Sequence, residues 1–525
     1  MASRAGAREN RVRRGELRAE EVEMARRDLD VCVIGAGMSG LLMGIRLQQA
    51  GIERFQIHEK ASSLGGTWRE NTYPGLTCDV PSFFYSYSFE PNLDWSRRFS
   101  PGPEILAYFE RVAEKYGLLP KIRFDSRITD ARWERGRWSI ATSRGEQTAA
   151  DVLITATGAL HQWRYPDIDG LEKFEGAKFH SAAWDHAVPL EGKRIGVVGN
   201  GSSGVQMMAP LSEVASHLTL FQRTAQWIAP VGNHVYTEAE KRRVHRFPLL
   251  ARLKRLYFQQ MFEVFSAAVV VPGRRRRAVA RSCREHLASV KDPELRRQLT
   301  PDYEPMCKRL ILSRDFYPTL RKDHVELVTE GIDHVEARGV VTRDGRLHEL
   351  DVLVLATGFD THAWGVENVV GEDGRSLKEA WAEGTRAYRS VAVPGFPNFF
   401  MLVGPNSPIG NISLIDVAEV QAAYILRCLR QLRNGRVEAM APTGEATRAF
   451  HERLLEAMKD TVWVTGCNSW YLDADGVPNT WPWTARRFHR EMRRPRLADF
   501  ALRPPGGAGG EGTRASPWPA GSRAA

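Results

Sequence analysis

A chain of 525 residues is too long for one compact core, so two or three domains are expected. With 43% hydrophobic and 26% charged residues it reads as a soluble globular protein, and its longest apolar stretch, residues 262–271, is too short to cross a bilayer. The formal charge of +10 points first to nucleic acid or a membrane surface. Residues 1–27, however, carry eight Arg against five Glu, and residues 486–525 nine Arg against three acids, which leaves the body close to neutral and weakens that case.

The element order opens with a mixed-charge helix over residues 16–27. "VCVIGAGMSG" then gives a buried strand at Val31–Ile34, breaking into a Gly-rich turn and a helix through Gln49. "FQIHE" is a second strand ending at Glu59. Within residues 104–116, Ile105, Phe109, Val112 and Tyr116 recur at the spacing of one buried helical face. The pattern repeats from "RIGVVGNGSSG": strand, turn, helix, and a second strand, "LTLFQR", ending at Arg223. A further duplication pairs "DVLITATG" (residues 151–158) with "DVLVLATG" (residues 351–358). Each copy is read as closing one nucleotide-binding unit and carrying the chain to the other.

Residues 237–299 lack strand signals and are rich in Arg and Leu, so a helical insertion is expected over about 235–300. Its "RRRR" run, residues 274–277, reads as a solvated face because no aromatic interleaving accompanies it, and no nucleic-acid partner is expected. An apolar helical stretch covers residues 414–429, and the Gly/Pro-rich C-terminal tail is expected to be disordered. The fold class that follows is α/β, with two Rossmann-like dinucleotide-binding domains. The first is assembled from residues 28–160 and 359–500, the second spans 161–358 and holds the insertion, and 1–27 and 503–525 are tails.

A lone GxGxxG is weak evidence, but here its context is supplied twice. Gly35, Gly37 and Gly40 follow a strand and open a helix, so backbone N–H groups and the helix N-terminus can face a pyrophosphate. Glu59, nineteen residues after Gly40, sits where a carboxylate can accept ribose hydroxyls. Gly199, Gly201 and Gly204 form the second cradle, and nineteen residues on stands Arg223 instead of an acid. A carboxylate would repel a 2′-phosphate, whereas a guanidinium can hold it through paired charge-assisted hydrogen bonds. The first site therefore reads as FAD and the second as NADPH, with hydride passing from nicotinamide to flavin.

The acceptor of those electrons is the next choice. A disulfide reductase needs a redox-active cysteine pair just after the first cradle, and only Cys78 lies there. The six cysteines (Cys32, Cys78, Cys283, Cys307, Cys428, Cys467) show neither CxxC pairing nor zinc spacing, as expected of a reduced cytoplasmic protein with no metal site. The Arg- and Glu-rich N-terminus has no apolar segment of the secretory kind. Molecular oxygen is the other common acceptor, and activating it needs a dry pocket with a fixed positive charge.

Two longer patterns sharpen this. "FEGAKFHSAAWD" matches FxGxxxHxxxW(P/D) through Phe174, Gly176, His180, Trp184 and Asp185. "GGTWRENTYPGLTCD" matches (A/G)GxWxxxx(F/Y)P(G/M)xxxD through Gly65, Gly66, Trp68, Tyr73, Pro74, Gly75 and Asp79. With these the chain resembles the type I Baeyer–Villiger monooxygenases, within the flavin-containing monooxygenases, over roughly residues 30–483. The N- and S-oxygenating relatives carry Tyr or Phe where this chain has Trp184, and N- or S-oxygenation stays open as the alternative.

The resemblance implies a reaction of a ketone with NADPH and O2, giving an ester or lactone through a C4a-peroxyflavin. In "MCKRLIL" it places Arg309 beside the flavin, Asp79 as the carboxylate that holds it, and Lys308 with Arg223 on the 2′-phosphate. It makes Trp68 a cofactor neighbour and puts Phe174, Gly176, His180 and Trp184 at a hinge between the FAD and NADP domains. It makes Ile409, Gly410 and Asn411 candidates for the substrate pocket, and it sets Trp470 at the anchor of a mobile C-terminal loop. The residues after Trp470 depart from the Gly-rich "NIPGK" run of the best-known ketone oxygenases.

Overall fold

The computed structural model describes residues 27–360, 368–382, 384–467, 469, 471–472, 477 and 479–505. The helix expected over 16–27 lies outside this set except for Arg27, as does the tail beyond residue 505.

Two five-stranded parallel sheets organise the chain. The first runs Phe399–Met401, Val152–Thr155, Val31–Ile34, Phe55–His58, Ile122–Arg123, with Val31 opposite both Phe55 and Val152. The second runs Val325–Val328, His217–Phe221, Arg194–Val198, Val352–Leu355, Ala177–His180, with Val352 opposite both Ile195 and Ala177. Val31–Ile34 and Val352–Leu355 are apolar and buried throughout, as expected of parallel strands covered on both faces. The duplicated "DVL" strands occupy equivalent places, each beside the strand that leads into a glycine turn. The duplication extends further: an antiparallel meander precedes each copy, Ile128–Glu134, Arg137–Thr142 and Gln147–Ala150 in one case, Ile332–Glu336, Gly339–Thr342 and Leu347–Glu349 in the other.

Helices follow the strands where the sequence breaks from period two. Met38–Gln49 and Ser202–Val214 leave the two glycine turns, and Leu414–Arg433 packs on the first of them. Residues 238–298 of the second unit form four helices: Glu238–Arg246, Leu249–Val270, Arg274–Ala288 and Pro293–Gln298. Thr237 opens the first with a capping box to Glu240, and Asp292 caps the last, with Pro293 at its first turn. Arg503, where composition starts the C-terminal tail, is the last residue of a strand, Phe500–Arg503, paired with Ala439–Pro442. Among the described residues no helix is long and apolar enough to cross a membrane.

Candidate functional site

The first cradle is closed by the chain itself. Gly35 sits at φ +102°, open to glycine and strained for any other residue, and its N–H donates to the His58 carbonyl at 2.8 Å. A Cβ at Gly40 would lie 1.8 Å from the Gly35 carbonyl oxygen, so the first turn of the helix Met38–Gln49 accepts only glycine at that position. Gly37 faces the backbone of Gly66, where a Cβ would come within 3.6 Å of its Cα. Glu59 is buried at the strand end; its carboxylate accepts from the Ala36 N–H at 2.8 Å and the Ala61 N–H at 3.1 Å, and pairs with Arg69 at 3.2 Å.

The second cradle has the same backbone and a different surface. Gly199 is again at φ +102°, and a Cβ at Gly204 would meet the Gly199 carbonyl oxygen at 2.1 Å. Gly201 faces open space, and Arg223 at the end of its strand is exposed. Lys308 is half-buried, with its ammonium 4.7 Å from the centre of the Tyr303 ring. Burial pulls its pKa down; Asp302 opposes this and the positive charge of Arg223 adds to it. Lys308 lies near enough to Arg223 to feel its charge, and two neighbouring cations suit a polyanion.

The stretch after the first cradle carries the aromatic pattern read above. Trp68 is buried, and its indole N–H donates to the Tyr85 hydroxyl at 3.1 Å. The Tyr73 hydroxyl donates to Gln206 Oε1 at 2.9 Å, and Gln206 Nε2 donates to the Thr77 carbonyl at 3.0 Å. A Cβ at Gly75 would lie 2.4 Å from the Gln206 carbonyl oxygen. This stretch of the first unit is thus seated against the helix that leaves the second cradle.

Asp79 and Arg309, 230 positions apart, meet at the end of that segment. Arg309 Nε donates to Asp79 Oδ2 at 3.0 Å, and Nη2 donates to the same oxygen. Burial works against the guanidinium's charge, but Asp79 and Tyr471 outweigh it and the pKa is raised, so the cation is permanent. The Tyr471 hydroxyl reaches Arg309 and also occupies the space beside Gly410, where a Cβ would lie 1.9 Å from it. Ile409 and Asn411 are buried on either side; Asn411 Nδ2 donates to Ser266 Oγ at 3.4 Å, while its Oδ1 and the hydroxyl of Ser413 have no partner among the described residues. Orphaned buried polar atoms in a loop that meets Tyr471 and Arg309 fit the polar edge of a bound flavin.

His180 ends the edge strand of the second sheet, fully buried. Its ring stacks on Trp163 at 5.0 Å and meets Phe359 edge-on at 6.0 Å. Trp163 and Phe359 are paired across the two segments by which the chain passes between the sheets. Nδ1 accepts from the Ala182 N–H at 3.1 Å; Nε2 lies toward Gly358 without reaching hydrogen-bond geometry. Burial lowers the imidazole pKa to about 4, against a smaller opposing effect of Gly358. Trp184 is half-buried, edge-on to Phe179 at 4.8 Å. Phe174 is buried, and Gly176 has no room for a Cβ, which would stand 2.5 Å from the Asp351 carbonyl oxygen.

One expectation is corrected. Cys307 and Cys467 are joined in a disulfide with their Cα atoms 6.1 Å apart, so the cysteines are not all free thiols. Their separation of 160 residues hides the pair from any spacing rule. They meet because the segments carrying Arg309 and Tyr471 converge on one site. Cys32, Cys78, Cys283 and Cys428 are free and buried. Trp470 lies outside the described residues. The neighbouring Tyr471, with Tyr85, Gln206, Ser266, Trp163 and Phe359, belongs to this network without any sequence signal of its own.

Two Gly-rich cradles on parallel sheets, one set for a buried dinucleotide and one for an exchangeable phosphorylated one, define a flavin- and pyridine-nucleotide-dependent oxidoreductase. A family model described as pyridine nucleotide-disulphide oxidoreductase matches residues 32–237. An uncharacterised monooxygenase of Mycobacterium tuberculosis (strain ATCC 25618 / H37Rv) is 50% identical over 463 residues, covering 88% of this chain and 93% of that protein. A Baeyer–Villiger monooxygenase of Streptomyces coelicolor is 43% identical over 493 residues, 92% of this chain and 95% of that protein. The crystal structure of OTEMO in complex with FAD and NADP superposes with a TM-score of 0.81 at 27% identity, covering 90% of this chain and 99% of that one. The chain belongs to the Baeyer–Villiger monooxygenase family.

Proposed function

We propose that the enzyme inserts one oxygen atom beside the carbonyl of a ketone, consuming NADPH, a proton and O2 and releasing an ester or lactone, NADP+ and water. The observation that carries this reading is the permanent cation of Arg309, held by Asp79 and touched by Tyr471 beside the loop of Ile409, Gly410 and Asn411. When bound, NADPH supplies the hydride and the reduced flavin activates O2. Arg309 offers a planar fork of donors to negative charge on oxygen, and such donors count most once water is excluded. Asp79 keeps the fork aimed, and Ile409, Gly410 and Asn411 border the ketone. Gly35, Gly37, Gly40, Glu59 and Trp68 hold FAD. Gly199, Gly201 and Gly204 carry the NADP pyrophosphate, and Arg223 with Lys308 grips the 2′-phosphate. Residues 28–160 and 359–500 then form the FAD domain and 161–358 the NADP domain, with Phe174, Gly176, His180 and Trp184 at the joint.

Arg309→Ala tests the reading. Reduction of the flavin by NADPH, followed by bleaching in a stopped-flow instrument, is expected to persist. Ester formation from a panel of cyclic, linear and aryl ketones, read by mass spectrometry, is expected to fall by about 10²-fold or more. Normal ester yield from this variant would remove the role given to Arg309.

A further inference from the structure

The helical insertion holds a surface that this reaction does not use. Along Leu249–Val270, the side chains of Leu249, Leu253, Leu256, Tyr257, Met261 and Val264 are 46–63% exposed. Their steps of three, four and seven residues put them on one face. The opposite face is committed to the protein: Ala251 and Phe258 are buried, Phe262 packs on Phe84, and Arg255 bonds the Phe84 and Ser86 carbonyls and pairs with Glu419. Scattered exposed apolar residues need no explanation, but six on one face of a single helix form a patch.

The rim of this patch is cationic. Arg252 is exposed within it, and Arg242, Arg243 and Arg246 are exposed on the preceding helix, with Arg246 5.6 Å from the Phe247 ring. Arg486 donates to Gln260 at 3.0 Å while its side chain stays 75% exposed. Residues 238–297 contain sixteen Lys and Arg against six Asp and Glu, a net +10 that equals the charge of the entire chain. The near-neutral body thus divides into a strongly basic insertion and a compensating acidic remainder.

We propose that this face docks on a lipid surface bearing anionic headgroups, with the Leu249–Val270 helix lying in the plane of the interface. The apolar face would enter the acyl boundary and the arginines would meet the headgroups, the pairing that holds amphipathic helices at membranes. A second copy of the chain fits less well, because face-to-face packing would set Arg246, Arg252 and Arg486 against their own equivalents. Ser266 of the same helix accepts from Asn411, so docking would bring the loop assigned to the ketone close to the lipid. The docking itself does not depend on that assignment.

The test is sedimentation of the FAD-loaded full chain with vesicles of phosphatidylcholine alone or mixed with phosphatidylglycerol, at low and high salt. Binding is expected only with phosphatidylglycerol and is expected to weaken as salt rises. The triple variant Leu253→Ser, Leu256→Ser, Tyr257→Ser is expected to lose about tenfold or more in vesicle affinity while keeping its flavin and its NADPH oxidation. Should that variant lose its flavin, Arg242→Gln with Arg243→Gln and Arg246→Gln serves instead and is expected to remove the phosphatidylglycerol dependence. Failure to sediment with phosphatidylglycerol, sedimentation unchanged in a flavin-loaded variant, or a wild-type dimer that the triple variant converts to monomer would each overturn the proposal.

Discussion

The two glycine cradles share a backbone and differ in what surrounds it. Both begin with a glycine at φ +102°, and both need glycine in the first turn of the helix, with a Cβ falling 1.8 Å or 2.1 Å from the same carbonyl of the turn. Around the first, Gly37 meets Gly66 and Glu59 is buried under backbone donors; around the second, Gly201 faces open space and Arg223 is exposed. A cradle covered by its own chain suits a cofactor that stays through many turnovers. An open one with an exposed cation suits a cofactor that must leave, since its contacts are made with solvent-facing groups. On the proposed reading, the shared motif holds the phosphates and the flanking chain governs how readily each cofactor leaves.

The sharpest way to break this comparison is to fill equivalent positions. Gly40→Ala is expected to yield colourless protein, with flavin content lowered by more than about tenfold, because the added methyl collides with the fixed Gly35 carbonyl. Gly204→Ala makes the equivalent collision but is expected to leave the flavin in place and raise the KM for NADPH. Absorbance of the purified variants and initial-rate kinetics separate the two. Loss of flavin from Gly204→Ala would show that the cradles do not act independently. A smaller effect is expected from Arg223→Ala, which should raise the KM for NADPH by about tenfold or more and leave NADH nearly unchanged, since only NADPH has a 2′-phosphate. Equal effects on both cofactors would contradict that contact.

These variants could be chosen from the sequence because the cradles are local: strand, turn and helix span only residues 31–49 and 194–214, and their glycines answer to contacts inside the same unit. The pairing of Asp79 with Arg309 spans 230 positions and was approachable only through a resemblance to a family. Other parts of the site were silent. Cys307 and Cys467 show no common spacing, and Tyr471 is an ordinary aromatic until the fold lays its hydroxyl against Gly410 and Arg309. The apolar face of the insertion was hidden differently: its basic run read as solvated surface, because whether Leu253 and Tyr257 are buried depends on packing that periodicity alone does not specify.

The smallest expected effect concerns the joint on which the comparison rests, since two unlike cradles cooperate only if their units keep a fixed relation. His180 sits in that joint between Trp163 and Phe359, neutral and fully buried, with its pKa lowered by burial from 6.5 to about 4. As pH falls below about 6.5 this histidine takes up a proton in the unfolded chain while the folded one resists until about pH 4. The stability it contributes is therefore complete above pH 6.5 and lost on the way down to pH 4, amounting to roughly 2 kcal/mol between pH 7 and pH 5. Urea unfolding of the wild type and of His180→Gln at both pH values measures the difference. The wild type is expected to weaken more steeply with acid than the variant, and parallel losses would mean that His180 is hydrated and the joint is open to water.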